Sequence, residues 1–127
     1  MDPQADAAAV IRDCECSPTS ARATAIFPPD LAVFRGHFPG NPLVPGVHQV
    51  ALIAELLSRA LADYRIRVVG VDRCKWLAPV HPGVVLAIAV QWHTQEALWC
   101  ADGVVRIGDV IACQCRITVT SGLSLNG

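Results

Sequence analysis

The chain has 127 residues, which is enough for one domain built around a single core. Because hydrophobic residues make up 53% of the chain and charged residues 17%, we expect much of its surface to be buried against another subunit. A net charge of -1 does not favour binding to nucleic acid or to an anionic membrane.

Residues 1–13 combine aspartates and Arg12 with an alanine run. They lack the basic start and long apolar core of a signal peptide. No segment reaches membrane-spanning length without proline, glycine or charge. We therefore expect a cytoplasmic protein in which residues 1–13 form a loose or weakly helical lead-in.

After this lead-in, residues 16–27 are predicted to form one strand that Ser17-Pro18 interrupts. Residues 47–62 are the one clear helix, because apolar side chains cover about half of its circumference at a 3.6-residue period. The opposite arc carries four polar residues, His48, Glu55, Arg59 and Asp63. We expect this arc to remain a polar stripe.

Four strands are predicted after the helix, at residues 66–77, 84–94, 96–107 and 110–120. Asp102-Gly103 is expected to be a bend or bulge, and Gly108-Asp109 a hairpin turn. One helix packed on an antiparallel sheet is an α+β arrangement, and the long apolar helix suggests that the sheet wraps it. The domain is expected over residues 14–120, with a tail at 121–127. An exposed last strand would favour a homodimer.

Six cysteines are present, at positions 14, 16, 74, 100, 113 and 115. Without an export signal, reduced thiols are expected. The two Cys-x-Cys pairs each place both thiols on one face of a strand. Four thiols could form a zinc site, but each pair lacks the usual two-residue spacer. We therefore favour buried, inert thiols and predict no metal.

Residues 35–48, between the first strand and the helix, contain three prolines, three glycines and two histidines. Proline fixes φ and biases the residue before it towards an extended shape, so this segment is a stiff loop. A stiff loop can hold one imidazole in one place, which suits a catalytic or binding group.

Two motifs in this region are specific in their spacing. The first is Gly36-His37-Phe38-Pro39-Gly40 followed by Pro42 and Pro45-Gly46-Val47, and the second is Lys75-Trp76-Leu77-Ala78-Pro79-Val80-His81-Pro82-Gly83. Both resemble the hotdog-fold 3-hydroxyacyl-acyl-carrier-protein dehydratases, including the branch of short thioester dehydratase-like proteins of lipid and polyene pathways. Together they set the register for residues 20–120.

The resemblance implies a hotdog fold and a homodimer, or a higher homo-oligomer, with the active site between subunits. It implies dehydration of 3-hydroxyacyl thioesters to trans-2-enoyl thioesters. The substrate would be carried on the phosphopantetheine arm of an acyl carrier protein, with no further cofactor. His37 would take the C2 proton, and the backbone N–H of Gly46 would bind the thioester carbonyl.

Five further positions of the motif and the helix are candidates to line the substrate, Phe38, Pro39, Val47, His48 and Ala51. For His48, a solvated position on the polar stripe is the simpler interpretation. The chemistry supports the two principal roles. A neutral imidazole suits a general base, and a backbone N–H at a helix N-terminus can stabilise the enolate oxygen that develops.

The resemblance also implies a third role, for an acidic residue on the helix that helps the hydroxyl leave. The chain departs from the family here, because the position of that carboxylate is occupied by Ala51. Glu55, one turn further on, is either a replacement acid or the partner of Arg59 in a helical ion pair, and a water molecule is a further candidate for the acid role. If the acid is missing, the alternatives are a weak acyl-thioester-binding protein or one half of a hetero-oligomer. A thioesterase is a third possibility, because hotdog folds host both chemistries. Basic residues on the strands, such as Arg73 and Arg116, form either a patch for an acidic carrier protein or a solvated outer face.

Overall fold

The computed structural model describes residues 2–34, 42–62 and 66–120. Its helices are α1 (Pro3–Val10) and α2 (Gly46–Leu61), with a short 3-10 helix at Ala32–Phe34. Its strands are β1 (Ile11–Cys16), β2 (Ser20–Ala25), β3 (Arg67–Trp76), β4 (Leu86–Gln95), β5 (Leu98–Ile107) and β6 (Val110–Thr120). The predicted residues His37, Phe38, Pro39 and Asp63, and the tail 121–127, lie outside the described residues.

The six strands form one antiparallel sheet in the order β1-β2-β4-β5-β6-β3. Strands β1, β2, β4, β5 and β6 pack against α2. The predicted α+β arrangement, with an antiparallel sheet around one long central helix, is therefore confirmed. None of the helices in the described residues is long and apolar enough to span a membrane.

The N-terminal region is more ordered than the sequence predicted. Residues 3–10 form α1, and the Asp2 side chain caps it by accepting hydrogen bonds from the N–H groups of Gln4 and Ala5 at 3.0 and 3.2 Å. The strand predicted at residues 16–27 is wrong as a single element. The chain instead reverses after Cys16, and Ser17 N–H donates to Ser20 O at 2.8 Å, so that β1 and β2 pair as a hairpin.

Gly103 is not the predicted bend or bulge. It pairs in regular register with Val90 on one side and Cys115 on the other. A Cβ atom at this position would lie less than 3.0 Å from three side-chain atoms of Ile53. The glycine therefore allows α2 to approach the centre of the sheet closely.

The two edge strands of the sheet are β1 and β3, and the last strand, β6, is not an edge. β6 lies between β5 and β3 and is paired on both sides, which corrects the expectation that the last strand is an edge. Along β3 and just beyond it, apolar side chains are exposed, with Val69, Trp76 and Leu77 at 53%, 54% and 57%. An unpaired edge with exposed apolar residues is a surface suited to pairing with a second chain.

Candidate functional site

The N-terminus of α2 is built around Gly46. Pro45 is the N-cap, and its carbonyl accepts hydrogen bonds from His48 N–H at 3.0 Å and Gln49 N–H at 3.3 Å. The first N–H groups of an α-helix have no intrahelical partner, and Gly46 carries one of them. A Cβ atom at Gly46 would lie 2.6 Å from the indole ring of Trp76. Any larger residue at this position would therefore require the Trp76 ring to move.

The structure brings the two sequence motifs together. Val44 N–H, just before α2, donates to the carbonyl of Val80 at 2.8 Å. His81 of the second motif is exposed, and its Nδ1 lies 3.2 Å from the carbonyl of Pro42. The turn after β3 thus holds the last residues of the stiff loop at the start of the helix.

A cavity of about 580 Å³ opens at this point, and its lining includes Gly46, Val47, Gln49, Trp76 and Leu77. Val47, one of the residues predicted to line the substrate, is 57% exposed and lines this cavity. The two remaining residues of the loop motif predicted to line the substrate, Phe38 and Pro39, lie outside the described residues. An apolar groove beside a helix-start N–H group can hold an acyl chain with its carbonyl at the helix end.

Gln49 is a polar residue in this region that the sequence analysis missed. It is 3% exposed, and its Nε2 donates to the carbonyl of Val44 at 3.2 Å. Its Oε1 is buried and has no partner among the described residues. The amide therefore fixes the entry of the chain into α2. A glutamine inside an otherwise apolar helical face is the signal that could have drawn attention to it.

The predicted polar stripe of α2 is covered by α1. His48 is fully buried, which corrects the expectation of a solvated residue. Its Nε2 lies 2.9 Å from Oδ2 of Asp6, and the Phe27 ring meets the imidazole edge-on at a centroid distance of 5.9 Å. His48 Nδ1 is buried with no partner among the described residues. Asp6, on a segment predicted to be a lead-in, gave no sequence signal for this contact.

Glu55 is buried beneath the same helix. Arg59 Nε donates to its Oε2 at 2.9 Å, so the predicted helical ion pair is present. Gln4 Nε2 donates to its Oε1 at 3.1 Å. Burial lowers the pKa of Arg59, but hydrogen bonding and the charge of Glu55 outweigh that effect and raise the pKa overall. Both carboxylate oxygens of Glu55 are thus engaged by side chains of this chain.

Ala51 lies between these two polar contacts, at 7% exposure. Its carbonyl is 3.5 Å from Gln4 Nε2, which places the first turn of α1 directly over it. The structure therefore puts a second element of the chain where the family's helix carboxylate would emerge.

The basic residues of the sheet do not form an uninterrupted patch. Arg116 donates to Asp102 at 2.9 Å, and this hydrogen bond and charge raise the pKa of Arg116. Arg22 is paired with Glu15 at 2.6 Å. Together with Arg73 these groups line a second cavity, of about 730 Å³, on the sheet and away from Gly46. Mixed charges on this surface are consistent with the solvated outer face left open above.

The cysteines are free, and three of them, Cys100, Cys113 and Cys115, are buried. A hydrogen bond with Cys113 and burial raise the pKa of the Cys115 thiol, and burial raises that of Cys74. Cys16 is exposed, so the expectation of buried thiols does not hold for every cysteine. Within residues 2–34, 42–62 and 66–120, no group of three or more His, Cys, Asp or Glu side chains is placed to hold a metal ion.

Comparison with known proteins gives consistent matches. Residues 13–105 match the ApeI-like family, described as ApeI dehydratase. A 3-hydroxyacyl-[acyl-carrier-protein] dehydratase FabZ of Alkaliphilus metalliredigens is 33% identical over 67% of this chain, and one of Jannaschia sp. is 34% identical over 71%. The chain spans 63% of the length of each of these relatives.

Solved structures support the same fold. A chain of the dehydratase heterocomplex ApeI:P from Xenorhabdus doucetiae superposes with a TM-score of 0.70 at 26% identity, covering 87% of this chain and 96% of that one. Cj0977, a sigma28-regulated virulence protein from Campylobacter jejuni, superposes with a TM-score of 0.65 at 16% identity. It covers 84% of this chain and 72% of that one, and shows the fold alone. These likenesses confirm the predicted hotdog fold.

Proposed function

Because this chain belongs to the ApeI-like dehydratase family, we propose that it removes water from 3-hydroxyacyl thioesters to give trans-2-enoyl thioesters. The observation that carries the proposal is the start of α2, where Gly46, the first residue of the helix, lines an apolar cavity. The turn after β3 holds this helix start through Val44 and Val80. An enolate oxygen formed from a thioester would meet a donor at the positive end of the helix dipole there.

His37 is the proposed general base. Support for this role comes from the place of His37 in the family motif, and the residue itself lies outside the described residues. A neutral imidazole removes the C2 proton, the electrons of that bond form the double bond, and the C3 hydroxyl takes up a proton from a general acid and leaves as water. Phe38 and Pro39 of the same motif are proposed to line the substrate beside Val47.

The proposed substrate is carried on the phosphopantetheine arm of an acyl carrier protein, and no other cofactor is needed. The relatives named as 3-hydroxyacyl-[acyl-carrier-protein] dehydratases support this choice. We further propose a homodimer joined through β3, whose edge is open and bordered by exposed Val69, Trp76 and Leu77. The free cysteines fit the reducing cytoplasm, which is the proposed compartment.

A second candidate function is supported by Ala51, which cannot donate a proton. Without an acid, the protein would bind acyl thioesters and dehydrate them slowly or not at all. Alternatively, it would act as one half of a hetero-oligomer whose partner carries the acid. The dehydratase heterocomplex from Xenorhabdus doucetiae is a fold relative in which two subunits combine.

One assay separates these functions. The purified protein is incubated with a 3-hydroxyacyl thioester and, separately, a trans-2-enoyl thioester, and the products are measured by mass. Loss or gain of water supports the dehydratase, a free acid indicates a thioesterase, and an unchanged thioester that still binds indicates the binding protein or a lone hetero-oligomer subunit. His37→Ala should abolish water loss while the circular dichroism spectrum is retained.

Light scattering tests the assembly. At micromolar concentration we expect a mass of at least twice the 13.5 kDa of one chain. A single species of 13.5 kDa would contradict the homodimer.

A further inference from the structure

The question left by Ala51 is which group protonates the leaving hydroxyl. Three carboxyl or imidazole side chains lie near Ala51 where α1 crosses α2. His48 and Glu55 are about one turn before and one turn after Ala51 on α2, and Asp6 contacts His48 from α1. They differ in how far they are committed to other contacts and in how accessible they are.

Glu55 is poorly placed for the role. Its side chain is 9% exposed, and both of its oxygens accept hydrogen bonds, one from Arg59 and one from Gln4. A proton donor must reach the substrate by a hydrogen bond of its own. To do so, Glu55 would have to release a guanidinium and an amide while it is covered by α1.

Asp6 is better placed. One of its oxygens, Oδ2, lies 2.9 Å from His48 Nε2, and its side chain is 25% exposed while that of His48 is fully buried. The imidazole can therefore orient the carboxyl group from the protein side and leave the outer part of the group accessible. This is the geometry of a functional side chain held by a second, buried side chain.

We propose that Asp6, presented by α1 and oriented by His48, replaces the carboxyl group that Ala51 lacks and protonates the leaving hydroxyl. The inference rests on the proposed dehydratase function. Asp6 lies outside residues 13–105, over which the chain matches its family, so the substitution at position 51 is compensated from a different segment. Gln4 supports the arrangement, since it ties the same helix to the carbonyl of Ala51.

The proton balance of the step is simple. His37 takes the C2 proton, and the electron pair of that C–H bond becomes the C2–C3 double bond. The C3–O bond breaks with its electron pair on oxygen, and the proton of the Asp6 carboxyl group completes the water molecule. Asp6 then takes a proton from solvent and His37 returns one, so no other reactant is needed. His48 is a positioning residue, because it acts through Asp6.

The test uses the full chain and a 3-hydroxyacyl thioester. Asp6→Asn keeps the size of the side chain and an acceptor for His48 but cannot donate an acid proton. We expect kcat to fall by about 100-fold or more with KM little changed. Asp2→Asn is the matched control, since it makes the same change at the N-cap of the same helix, at a residue whose side chain accepts hydrogen bonds from the Gln4 and Ala5 N–H groups. It should leave kcat unchanged.

A rescue experiment separates catalysis from structure. Ala51→Glu placed in the Asp6→Asn protein should restore at least about tenfold of the lost activity, because it returns a carboxyl group to the family position. Ala51→Glu in the wild-type protein should add little, since an acid is already present. The measurement on Ala51→Glu in the wild-type protein still tests the inference if the Asp6→Asn variant does not fold.

Three results would overturn the inference. They are Asp6→Asn turnover close to wild type, a folded double variant with no recovery, or a large gain from Ala51→Glu alone. Each leaves the dehydratase function standing, because the wild-type protein is active in all three. An inactive wild-type protein that binds the thioester would remove both proposals together.

Discussion

The two sides of α2 are buried by different means. On the sheet side, Ile53 packs against Gly103 of β5, and Leu56 and Leu57 are fully buried among apolar residues. On the side covered by α1, burial is accompanied by paired polar groups, His48 with Asp6 and Glu55 with Arg59. The sheet side of α2 is stabilised by buried apolar area and close packing. The side covered by α1 is stabilised in addition by a small number of hydrogen-bonded polar pairs.

The difference has a consequence for stability. Burial of one large apolar side chain contributes about 1.5–3 kcal/mol, whereas a hydrogen bond contributes about 0.5–1.5 kcal/mol. The sheet side should therefore open only when the whole domain unfolds. The α1 side should open at lower free energy, as surface elements with few buried apolar contacts do. A proton donor carried on α1 would then sit on the more adaptable side of the helix.

The largest expected effect lies on the sheet side. Ile53→Ala should lower the free energy of unfolding by about 2–5 kcal/mol, because a fully buried side chain is replaced by a cavity. Urea denaturation followed by tryptophan fluorescence measures this change. A loss under 1 kcal/mol would mean that α2 does not pack on the sheet as described.

A double-mutant cycle sharpens the same contact. Gly103→Ala alone should cost about 1–3 kcal/mol, because the added Cβ meets Ile53. In the Ile53→Ala protein the same change should cost much less, since the atoms it would meet are gone. Additive losses in the double variant would show that the glycine is not needed for helix approach.

The α1 side should respond more weakly. Glu55→Gln keeps the shape of the side chain but removes its charge, so we expect a loss of about 1–2 kcal/mol in unfolding free energy. If Glu55 is only the partner of Arg59 and Gln4, turnover should stay within threefold of wild type. A fall of about 100-fold would instead identify Glu55 as the replacement acid and would contradict the role given to Asp6.

The same comparison shows what the sequence could predict. The apolar period of α2 and the alternation of the last four strands follow from burial alone, and these elements begin and end within about three residues of prediction. The polar stripe was wrong because its partners, Asp6 and Gln4, come from a segment without apolar period. The close approach of Ile53 to Gly103, which the absence of a Cβ atom allows, is also a tertiary contact. In the sequence alone, the glycine indicates only a bend.

The site divides in the same way. Gly46 was predicted because the motif and the helix start coincide, and its contact with Trp76 accounts for the glycine. Gln49 could have been noticed as a polar residue on an apolar face. Asp6 could not, because a carboxylate in the first turn of a helix is equally explained by the helix dipole.

The smallest expected effect is a titration on the sheet side. The hydrogen bond with Cys113 and burial raise the pKa of the Cys115 thiol in the folded protein above its ordinary value of 9.0. Below pH 9.0 the Cys115 thiol keeps its proton in both the folded and the unfolded protein. Just above pH 9.0 the thiol loses its proton in the unfolded chain but keeps it in the folded protein. Stability should therefore be complete below about pH 9 and fall as the pH rises further, by under about 1 kcal/mol at pH 9.5 for this thiol.

Urea midpoints at pH 8 and 9.5 should differ less in Cys115→Ala than in wild type. Val105→Ala, another fully buried position, is the control that should lower stability without changing this pH dependence. An unchanged pH dependence in Cys115→Ala would show that the thiol ionises equally in both states.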